Sequence, residues 1–412
     1  MGNEFLFLIL QPRILKKLAK MITVKKIFFL ILIICFIGCS KEHEPDWFRI
    51  ENPYHRIDNA LRVKSISHEH ITTQARLEKC LNRGIEVLCA VNYQPSVPSM
   101  PISGWSSTYY DYTSTTNLTI TPRTFSEGFK NFTNNKGNYV DLDQIVQLPN
   151  SEKCYVIKSP IHANFIGSLW GDPGVSSLPG LLPNEHPSEF RAWHKLYTWD
   201  DIFKNTAANL MFEGKCFGTL NHPEHSIDIH ENFVKYSYGL IKGVEIFNQG
   251  YTRAKNEYFK AQYDALLMKG YKLWCVSVVD WANSKGSDSN VNYDRGCNVL
   301  LLDDVYLSKT LAEKAEMALD AYIEGSFYAS GLGSFDIIDV TVNDNEITVK
   351  FSEIVDAIII DIDGVRTQIE NTDTVSVLLE VRNIFARFEA YKGDDFIYTN
   401  PFFVIKGYSS EI

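Results

Sequence analysis

Hydrophobic and polar positions follow one pattern over most of the chain and another near its C-terminus. From about residue 59 to residue 333, short apolar runs alternate with amphipathic stretches, which is typical of β/α units. The predicted strands are Leu61–Ser67, Gly84–Asn92, Cys154–Ser159, Cys216–Leu220, Gly243–Phe247 and Tyr271–Val279. The predicted helices are Ile71–Leu81, Trp199–Phe212, Asn256–Met268 and Leu307–Ile323. Glycine follows several of these helices, as it commonly does at helix C-termini. The pattern therefore predicts an α/β domain.

Two irregular segments, residues 94–147 and 165–193, interrupt this domain, and long insertions of this kind are usually functional or disordered. After Gly333 the pattern changes to short β-branched runs separated by Asn-Asp and Asp-Gly turns. The strands predicted there are Ile337–Val342, Glu346–Phe351, Ala357–Ile362, Thr374–Glu380, Phe385–Tyr391 and Phe402–Ile405. Residues 334–412 are therefore predicted to form a small antiparallel β-sandwich domain.

The N-terminal segment has the features of a targeting sequence. Lys25 and Lys26 precede an apolar run, Ile27–Phe36, that is short for a bilayer span and suits the core of a signal peptide. Gly38 followed by Cys39 resembles a bacterial lipobox, in which the cysteine is lipidated. We predict a signal peptide over residues 1–39, with Met21 as an alternative start, and a tether over residues 40–58. A plain signal peptide or a short membrane anchor is the alternative.

A lipidated Cys39 would place the protein in a bacterial cell envelope, anchored to the outer membrane on its periplasmic or surface side. The lipid would then be its sole contact with the membrane. The chain has 412 residues, 45% of them hydrophobic, which is enough for two or three packed domains. Its net charge of -10 argues against a nucleic-acid partner, because an acidic surface repels phosphate backbones. The eight cysteines form no Cys-x-x-Cys pair, so neither a zinc ribbon nor a disulfide scaffold is indicated.

Histidines and acids occur at or near the ends of the predicted strands. His68 and His70 close the first strand, where residues two apart share a face and can reach one ion. A buried acid at a strand end is costly unless it is paired or bound to a metal. Each of these residues alone is as easily explained by a surface or core position, but the whole set favours a metal site. The candidate metal ligands are His68, His70, Glu152, His162, His222 and Asp280.

The order of these residues resembles that of the PHP (polymerase and histidinol phosphatase) family of metal-dependent phosphoesterases. The likeness extends from about Asn59 to Gly333. It includes the sequence Gly-Val-Glu-Ile-Phe-Asn over residues 243–248, where Glu245 and Asn248 would order neighbouring groups, and a closing Gly-x-x-Tyr-Ala-Ser turn over residues 325–330. The resemblance implies a distorted (β/α)7 barrel, similar to a TIM barrel, over residues 59–333. Some bacterial members carry a β-sandwich after the barrel, as predicted here.

The resemblance also implies a ligand arrangement. One ion would be held by His68, His70, Glu152 and Asp280, and Glu152 would bridge to a second ion held by His162 and His222. The ligands of the family's third site are missing, since Tyr93 and Ala282 stand where the family has histidines, and Gln74 and Ala75 lie where it has an acid or a histidine. The cofactors predicted in this way are two divalent metal ions, with Zn, Mn and Fe all compatible with the ligand types.

A metal-dependent phosphoesterase acting on a small organic phosphate or phosphodiester is the function that the resemblance implies. A water bridging the two ions would lose a proton and attack phosphorus. The predicted catalytic residues are Glu152, Asp280, Arg295, His194 and His225. Arg295 would clamp a phosphate oxygen, although a solvated loop arginine explains it at least as well. His194 and His225 would protonate the leaving group, although a bystander position is the simpler explanation of each.

Two further functions remain open at this stage. The chain could be a degenerate relative that keeps metal for structure and binds a ligand, such as a glycan, on aromatic loops. The aromatic residues in question are Trp105, Tyr109, Tyr110, Tyr112 and Trp170. Alternatively, the C-terminal β domain could be an adhesion module for which the preceding domain is a platform. The oligomeric state is not indicated by the sequence.

Overall fold

The structure is a computed structural model, and it describes residues 47–71, 74–91, 108–112, 120–124, 129–150, 152–154, 161–168, 199–208, 210, 212, 214–280 and 295–407. Contacts between Cα atoms divide the chain into two units. The first comprises residues 1–48 and 406–412, of which only 47, 48, 406 and 407 are described. The second comprises Arg49–Ile405 and contains every site discussed below. The predicted signal peptide and its lipobox Cys39 lie outside the described residues.

Twenty-one strands and five α-helices are assigned in the described residues. The strands before residue 300 are β1 (Trp47–Glu51), β2 (Leu61–Glu69), β3 (Val87–Ala90), β4 (Thr108–Tyr112), β5 (Ile120–Thr124), β6 (Phe132–Thr133), β7 (Tyr139–Val140), β8 (Val146–Gln147), β9 (Glu152–Cys154), β10 (His162–Ile166), β11 (Phe217–Asn221), β12 (Ile241–Asn248), β13 (Trp274–Val278) and β14 (Cys297–Leu302). The later strands are β15 (Phe327–Ser330), β16 (Ile337–Asn343), β17 (Glu346–Ile362), β18 (Val365–Leu378), β19 (Phe385–Lys392), β20 (Asp395–Tyr398) and β21 (Phe402–Gly407). The helices are α1 (Gln74–Asn82), α2 (Trp199–Ala208), α3 (Ile227–Lys235), α4 (Arg253–Met268) and α5 (Leu311–Glu324). Short 3-10 helices cover Ile57–Asn59, Leu142–Gln144 and Asp304–Ser308.

The strands form two large sheets and two short hairpins. A mixed sheet of twelve strands has neighbours in the order β21, β19, β20, β15, β14, β2, β3 and β8; β1 and the β16–β18 group also belong to it. A second sheet of five strands has the order β13, β12, β11, β10 and β9. Strands β4 and β5 pair with each other, as do β6 and β7, and both hairpins lie within the predicted insertion 94–147.

The expected distorted (β/α)7 barrel followed by a β-sandwich is wrong: the described chain is mostly β, with a large mixed sheet. Strand β2 pairs antiparallel with β14, and β10 pairs antiparallel with both β9 and β11, whereas a barrel of β/α units needs parallel neighbours. Strand β15 then pairs with β20, so the twelve-stranded sheet crosses residue 333 and includes the C-terminal strands. Alternation of apolar runs indicates strands and helices, but it does not indicate which strands pair.

A hydrophobic core lies between the two sheets. Leu220 and Val276 from the five-stranded sheet share one buried cluster with Leu300 from the twelve-stranded sheet and with Leu319 and Tyr322 of α5. Each large apolar side chain that is fully buried in this way contributes about 1.5–3 kcal/mol to folding. Strand β13 lies against β2 and β14, so the edge of the smaller sheet meets the middle of the larger one.

The boundaries of α5 follow from its capping residues. Thr310 accepts a hydrogen bond from the backbone of Glu313, whose carboxylate accepts one from the backbone of Thr310, which forms a reciprocal capping box. Gly325 ends the helix with φ of 78°, and a Cβ at this position would lie 2.6 Å from the ring of Trp274. Glycine is therefore required there both by the backbone conformation and by the neighbouring indole.

No helix in the described part of the chain is long and apolar enough to cross a bilayer. The predicted domain boundaries, at residues 39, 58 and 333, stay predictions.

Candidate metal centre

Strand ends of both sheets place the predicted ligands in one region. His68 lies in β2 and His70 directly follows that strand. In the smaller sheet, Glu152 of β9 is opposite Asn164 of β10, so His162 projects from the same face two residues away. His222 directly follows β11, and Asp280 comes two residues after β13. The site therefore requires the two sheets to meet.

The first candidate ligand set consists of His68, His70 and Glu152. Glu152 Oε2 lies 2.9 Å from His70 Nε2 and 3.4 Å from His68 Nε2. The two Nε2 atoms are 3.2 Å apart, so both imidazoles face a common point. Asp280 Oδ1 joins them at 3.2 Å from His68 Nε2 and 3.5 Å from His70 Nε2. All four side chains are buried.

The second candidate set consists of Glu152, His162 and His222, whose ligand atoms lie within 4.8 Å of one another. His162 Nδ1 is 2.7 Å from Glu152 Oε1, and the rings of His162 and His222 are 4.7 Å apart between centroids. Glu152 thus directs one carboxylate oxygen to each set. This is the arrangement of a carboxylate that can bridge two ions.

A shell of buried hydrogen bonds orients these ligands. His68 Nδ1 donates to Glu245 Oε1 at 2.6 Å, which orients the ring so that its Nε2 faces the first set. Asn248 donates through Nδ2 to Glu245 Oε2 at 3.1 Å and to Asp280 Oδ2 at 2.8 Å. On the other side of the site, Asn221 donates to Glu152 Oε1 at 3.4 Å.

The electrostatics of the site reflect buried opposite charges. Burial alone lowers the pKa of His68, but the carboxylates of Asp280, Glu245 and Glu152 outweigh it and raise that pKa well above its ordinary value. Burial likewise lowers the pKa of His70, but the hydrogen bonds that His70 donates to the carboxylates of Asp280 and Glu152 outweigh it and raise this pKa to about 9. Burial raises the pKa of Glu152, yet the charges of His68 and His162 hold it well below its ordinary range. The carboxylate of Glu152 is therefore ionised.

The backbone is strained at two of the ligands. His222 has φ of 25° and Asp280 has φ of 56°, in the left-handed region that residues other than glycine rarely adopt. Such residues cost about 1–3 kcal/mol each and cluster at functional sites. The backbone N–H of His222 donates to Glu245 Oε2 at 2.9 Å, and that of Asp280 donates to the carbonyl of His68 at 3.0 Å. These bonds hold both residues in the strained conformation.

The donor set fits divalent metal ions. Glu152 and Glu245 are fully buried, and their contacts among the described residues are histidines and asparagines rather than lysine or arginine. Buried carboxylates need a compensating cation, and neutral imidazole nitrogens with carboxylate oxygens are the ligands that Zn, Mn and Fe share. His68, His70, Glu152 and Asp280 would hold one ion, and Glu152, His162 and His222 a second.

The remaining predicted catalytic residues are not in the ligand sets. Arg295 forms an ion pair with Asp394 at 3.0 Å. The backbone N–H of His225 donates to His230 Nε2 of α3 at 3.2 Å, and its carbonyl accepts a hydrogen bond from the Tyr258 hydroxyl of α4 at 2.8 Å. His194, Tyr93 and Ala282 lie outside the described residues, as do Trp105, Trp170 and the side chains of Tyr109, Tyr110 and Tyr112. Gln74 lies at the start of α1 and bonds to Glu78 and to the backbone of Lys130.

Three residues of the site have roles that the sequence did not indicate. Tyr251 packs its ring 5.3 Å from that of His222. Thr219 donates through Oγ1 to Asn221 Oδ1 at 2.8 Å, which fixes the amide that reaches Glu152. The neighbouring motif Asn-His-Pro was the available signal for Asn221, whereas Tyr251 and Thr219 are ordinary residues in a loop and a strand.

No family model matches this chain, and no curated protein matches it. The solved structures that match this chain include two distantly similar proteins. One is an amidohydrolase from Chromobacterium violaceum with bound sulfate and no metal, at 10% sequence identity and a TM-score of 0.29. The match covers 53% of this chain and 85% of the amidohydrolase chain. The other, from Bifidobacterium adolescentis, is described as a "putative metal-dependent phosphoesterase", at 10% sequence identity and a TM-score of 0.31. The match covers 60% of this chain and 95% of the other chain. Likenesses at these TM-scores indicate neither the family nor the activity of this chain.

Proposed function

We propose that the protein is a metal-dependent hydrolase that uses two divalent ions, and that its substrate is a small organic phosphate or phosphodiester. The observation that carries this proposal is the position of Glu152, whose two oxygens each face a separate pair of imidazoles. Two ions supply Lewis acidity and an activated water to such a site when they are bound.

The chain's own residues supply binding and orientation. His68, His70 and Asp280 converge on one side of Glu152, and His162 and His222 on the other. Glu245 fixes the ring of His68, and Asn248 fixes the carboxylate of Asp280. Because these groups are held before substrate arrives, little reorganisation is required during the reaction. The choice of a phosphoric ester rests on the resemblance in ligand order and on Arg295, whose guanidinium could bind a phosphate oxygen.

Elemental analysis and turnover together test the proposal. The wild-type protein, purified with Mn or Zn, is expected to hold two equivalents of metal and to hydrolyse an aryl phosphate or a bis-aryl phosphodiester. Glu152→Gln is expected to lose both ions and all turnover, since neither ion then has a bridging carboxylate. Glu346→Gln is a matched control, because Glu346 is exposed in β17 and away from both ligand sets.

The outcomes separate the possible functions. Two equivalents of metal without turnover of either ester would contradict the hydrolase and favour a ligand-binding role with structural metal. Metal content unchanged in Glu152→Gln would contradict the bridging carboxylate itself.

A further inference from the structure

A cavity of about 610 Å³ lies beside the candidate metal centre. One wall is formed by Tyr251, whose ring contacts that of the metal ligand His222. Asn256 forms part of the same wall, and its Oδ1 accepts a hydrogen bond at 2.8 Å from the backbone of Asn248, which itself donates to Asp280. Two residues of the cavity wall therefore contact a metal ligand or a residue that orients one, although none of the ligands lines the cavity.

Aromatic side chains from the C-terminal strand β20 and from β12 also line the cavity. Phe396 and Tyr398 of β20 are stacked, with ring centroids 4.5 Å apart and planes at 22°. Phe247, at the end of β12, packs against Phe396 at 4.6 Å between centroids. These rings line the cavity together, and Phe396 and Tyr398 are 4% and 5% exposed, so a small part of each ring faces it. An aromatic lining of this kind suits a planar organic ring rather than an extended polar chain.

The charged groups that line the cavity leave a positive charge available. Asp395 accepts hydrogen bonds from the backbones of Leu332, Ser334 and Phe396, so its carboxylate is occupied by the fold. Glu257 pairs with Lys260 at 3.0 Å, on α4. Of the two arginines, Arg295 forms an ion pair with the exposed Asp394. Arg253, at the start of α4, is exposed and has no ion pair within the described part of the chain.

The geometry points to this cavity as the binding site for the organic part of the substrate. That part would be a planar ring carrying an anionic substituent, with the ring against Phe396 and Tyr398 and the anion bound by Arg253. The inference rests on the proposed function, because it assumes that the phosphoryl group lies at the adjacent metal centre. The substrate class is therefore a ring-bearing organophosphate with a second negative charge, such as a carboxylate or a second phosphate.

Two non-hydrolysable probes test this without requiring turnover. Phenylphosphonate and 4-phosphonobenzoate differ by one carboxylate, and calorimetry on the Mn-loaded full-length protein compares their affinities. We expect 4-phosphonobenzoate to bind roughly tenfold more tightly, as one charge-assisted hydrogen bond to arginine would give. Arg253→Ala should abolish that preference while leaving the affinity for phenylphosphonate unchanged, and Arg253→Glu should reverse it.

A matched arginine variant and a separate assay make the result specific. Arg382, exposed between β18 and β19 and absent from the cavity walls, is the control, and Arg382→Ala should retain the full preference. Equal affinity of wild type for the two phosphonates, or a preference that survives Arg253→Ala, would overturn the inference. Turnover of phenyl phosphate is measured in parallel. Its absence together with a retained preference would remove the proposed hydrolase but keep the cavity as an anion-selective ring site.

Discussion

Glu245 Oε1 lies 2.6 Å from Nδ1 of His68, and both side chains are fully buried. The other oxygen of Glu245 accepts the backbone N–H of His222 at 2.9 Å. One carboxylate thus positions a residue from each candidate ligand set. Because it fixes the tautomer of one imidazole and the strained backbone of the other, its loss should affect both ions.

Glu245→Gln should therefore weaken metal binding while leaving the fold in place. The amide keeps the size of the side chain but loses the charge that stabilises the orientation of His68. The loss of an orienting partner of this kind costs about 10–100-fold in metal affinity. Competition with a chelator measures the Kd for Mn or Zn, and circular dichroism checks the fold. Glu257→Gln, on the exposed side of α4, is the control. A Kd equal to that of wild type would mean that Glu245 only fills space.

The two histidine pairs should behave independently. His222→Ala removes a ligand from one set only, so we expect one equivalent of metal to be lost and one retained. His70→Ala should empty the other set in the same way. Elemental analysis of both variants beside wild type measures this directly. Loss of both ions from His222→Ala would show that the sites fill cooperatively and would contradict their independence.

A buried charge network links α4 to the C-terminal strands and should make stability depend on acid pH. Glu389 lies 2.6 Å from Arg387 and 3.1 Å from Lys260, and all three side chains are buried. Burial raises the pKa of Glu389, but the charges of Arg387 and Lys260 outweigh it and lower that pKa to about 2. Breaking such a pair costs about 3–5 kcal/mol, so Glu389→Gln should destabilise the protein by about that amount at neutral pH.

The sign of the pH effect follows from the depressed pKa. The unfolded carboxyl titrates near its usual pKa of about 4.3, so the stabilisation is complete above that pH and falls as the pH drops toward 2. The difference in unfolding free energy between wild type and Glu389→Gln should therefore shrink between about pH 4.3 and pH 2. Urea denaturation across this range measures it, with exposed Glu370→Gln as the control. A difference that does not change with pH would exclude the ionised carboxylate as its source.

We propose that the protein is anchored to a bacterial envelope by a lipid on Cys39. Cys39→Ala should then release the protein from the membrane fraction, because the variant has no cysteine at this position to carry the lipid. Fractionation followed by immunoblotting measures the shift, and Cys35→Ala, within the same apolar segment, is the matched control. Release in the control as well would indicate a general defect in export rather than loss of the lipid.

Much of the local structure could be predicted from the sequence. The strand predicted over Leu61–Ser67 is observed as Leu61–Glu69, and the helix predicted over Asn256–Met268 is observed as Arg253–Met268. Both have a clear period of apolar residues and a recognisable end. The strand Cys297–Leu302 and the helix Ile227–Lys235 were missed. The helix is short. The strand Cys297–Leu302 is apolar except for Asn298 and lacks the alternation that identifies a half-buried strand.

The candidate site also has features that the sequence predicts and features that depend on tertiary structure. The residue types and their places at strand ends are local properties, so the sequence alone was enough to select His68, His70, Glu152, His162, His222 and Asp280 as metal-ligand candidates. Their distances, the shared role of Glu152 and the contacts of Glu245 depend on β2 of one sheet meeting β9–β13 of the other. Pairing partners such as β15 with β20 are set by side-chain packing between segments far apart in the chain. The sequence therefore determined the elements and the chemistry that they carry. The tertiary structure alone decided the sheet order and the cavity beside the site, because neither leaves a periodic signal in the chain.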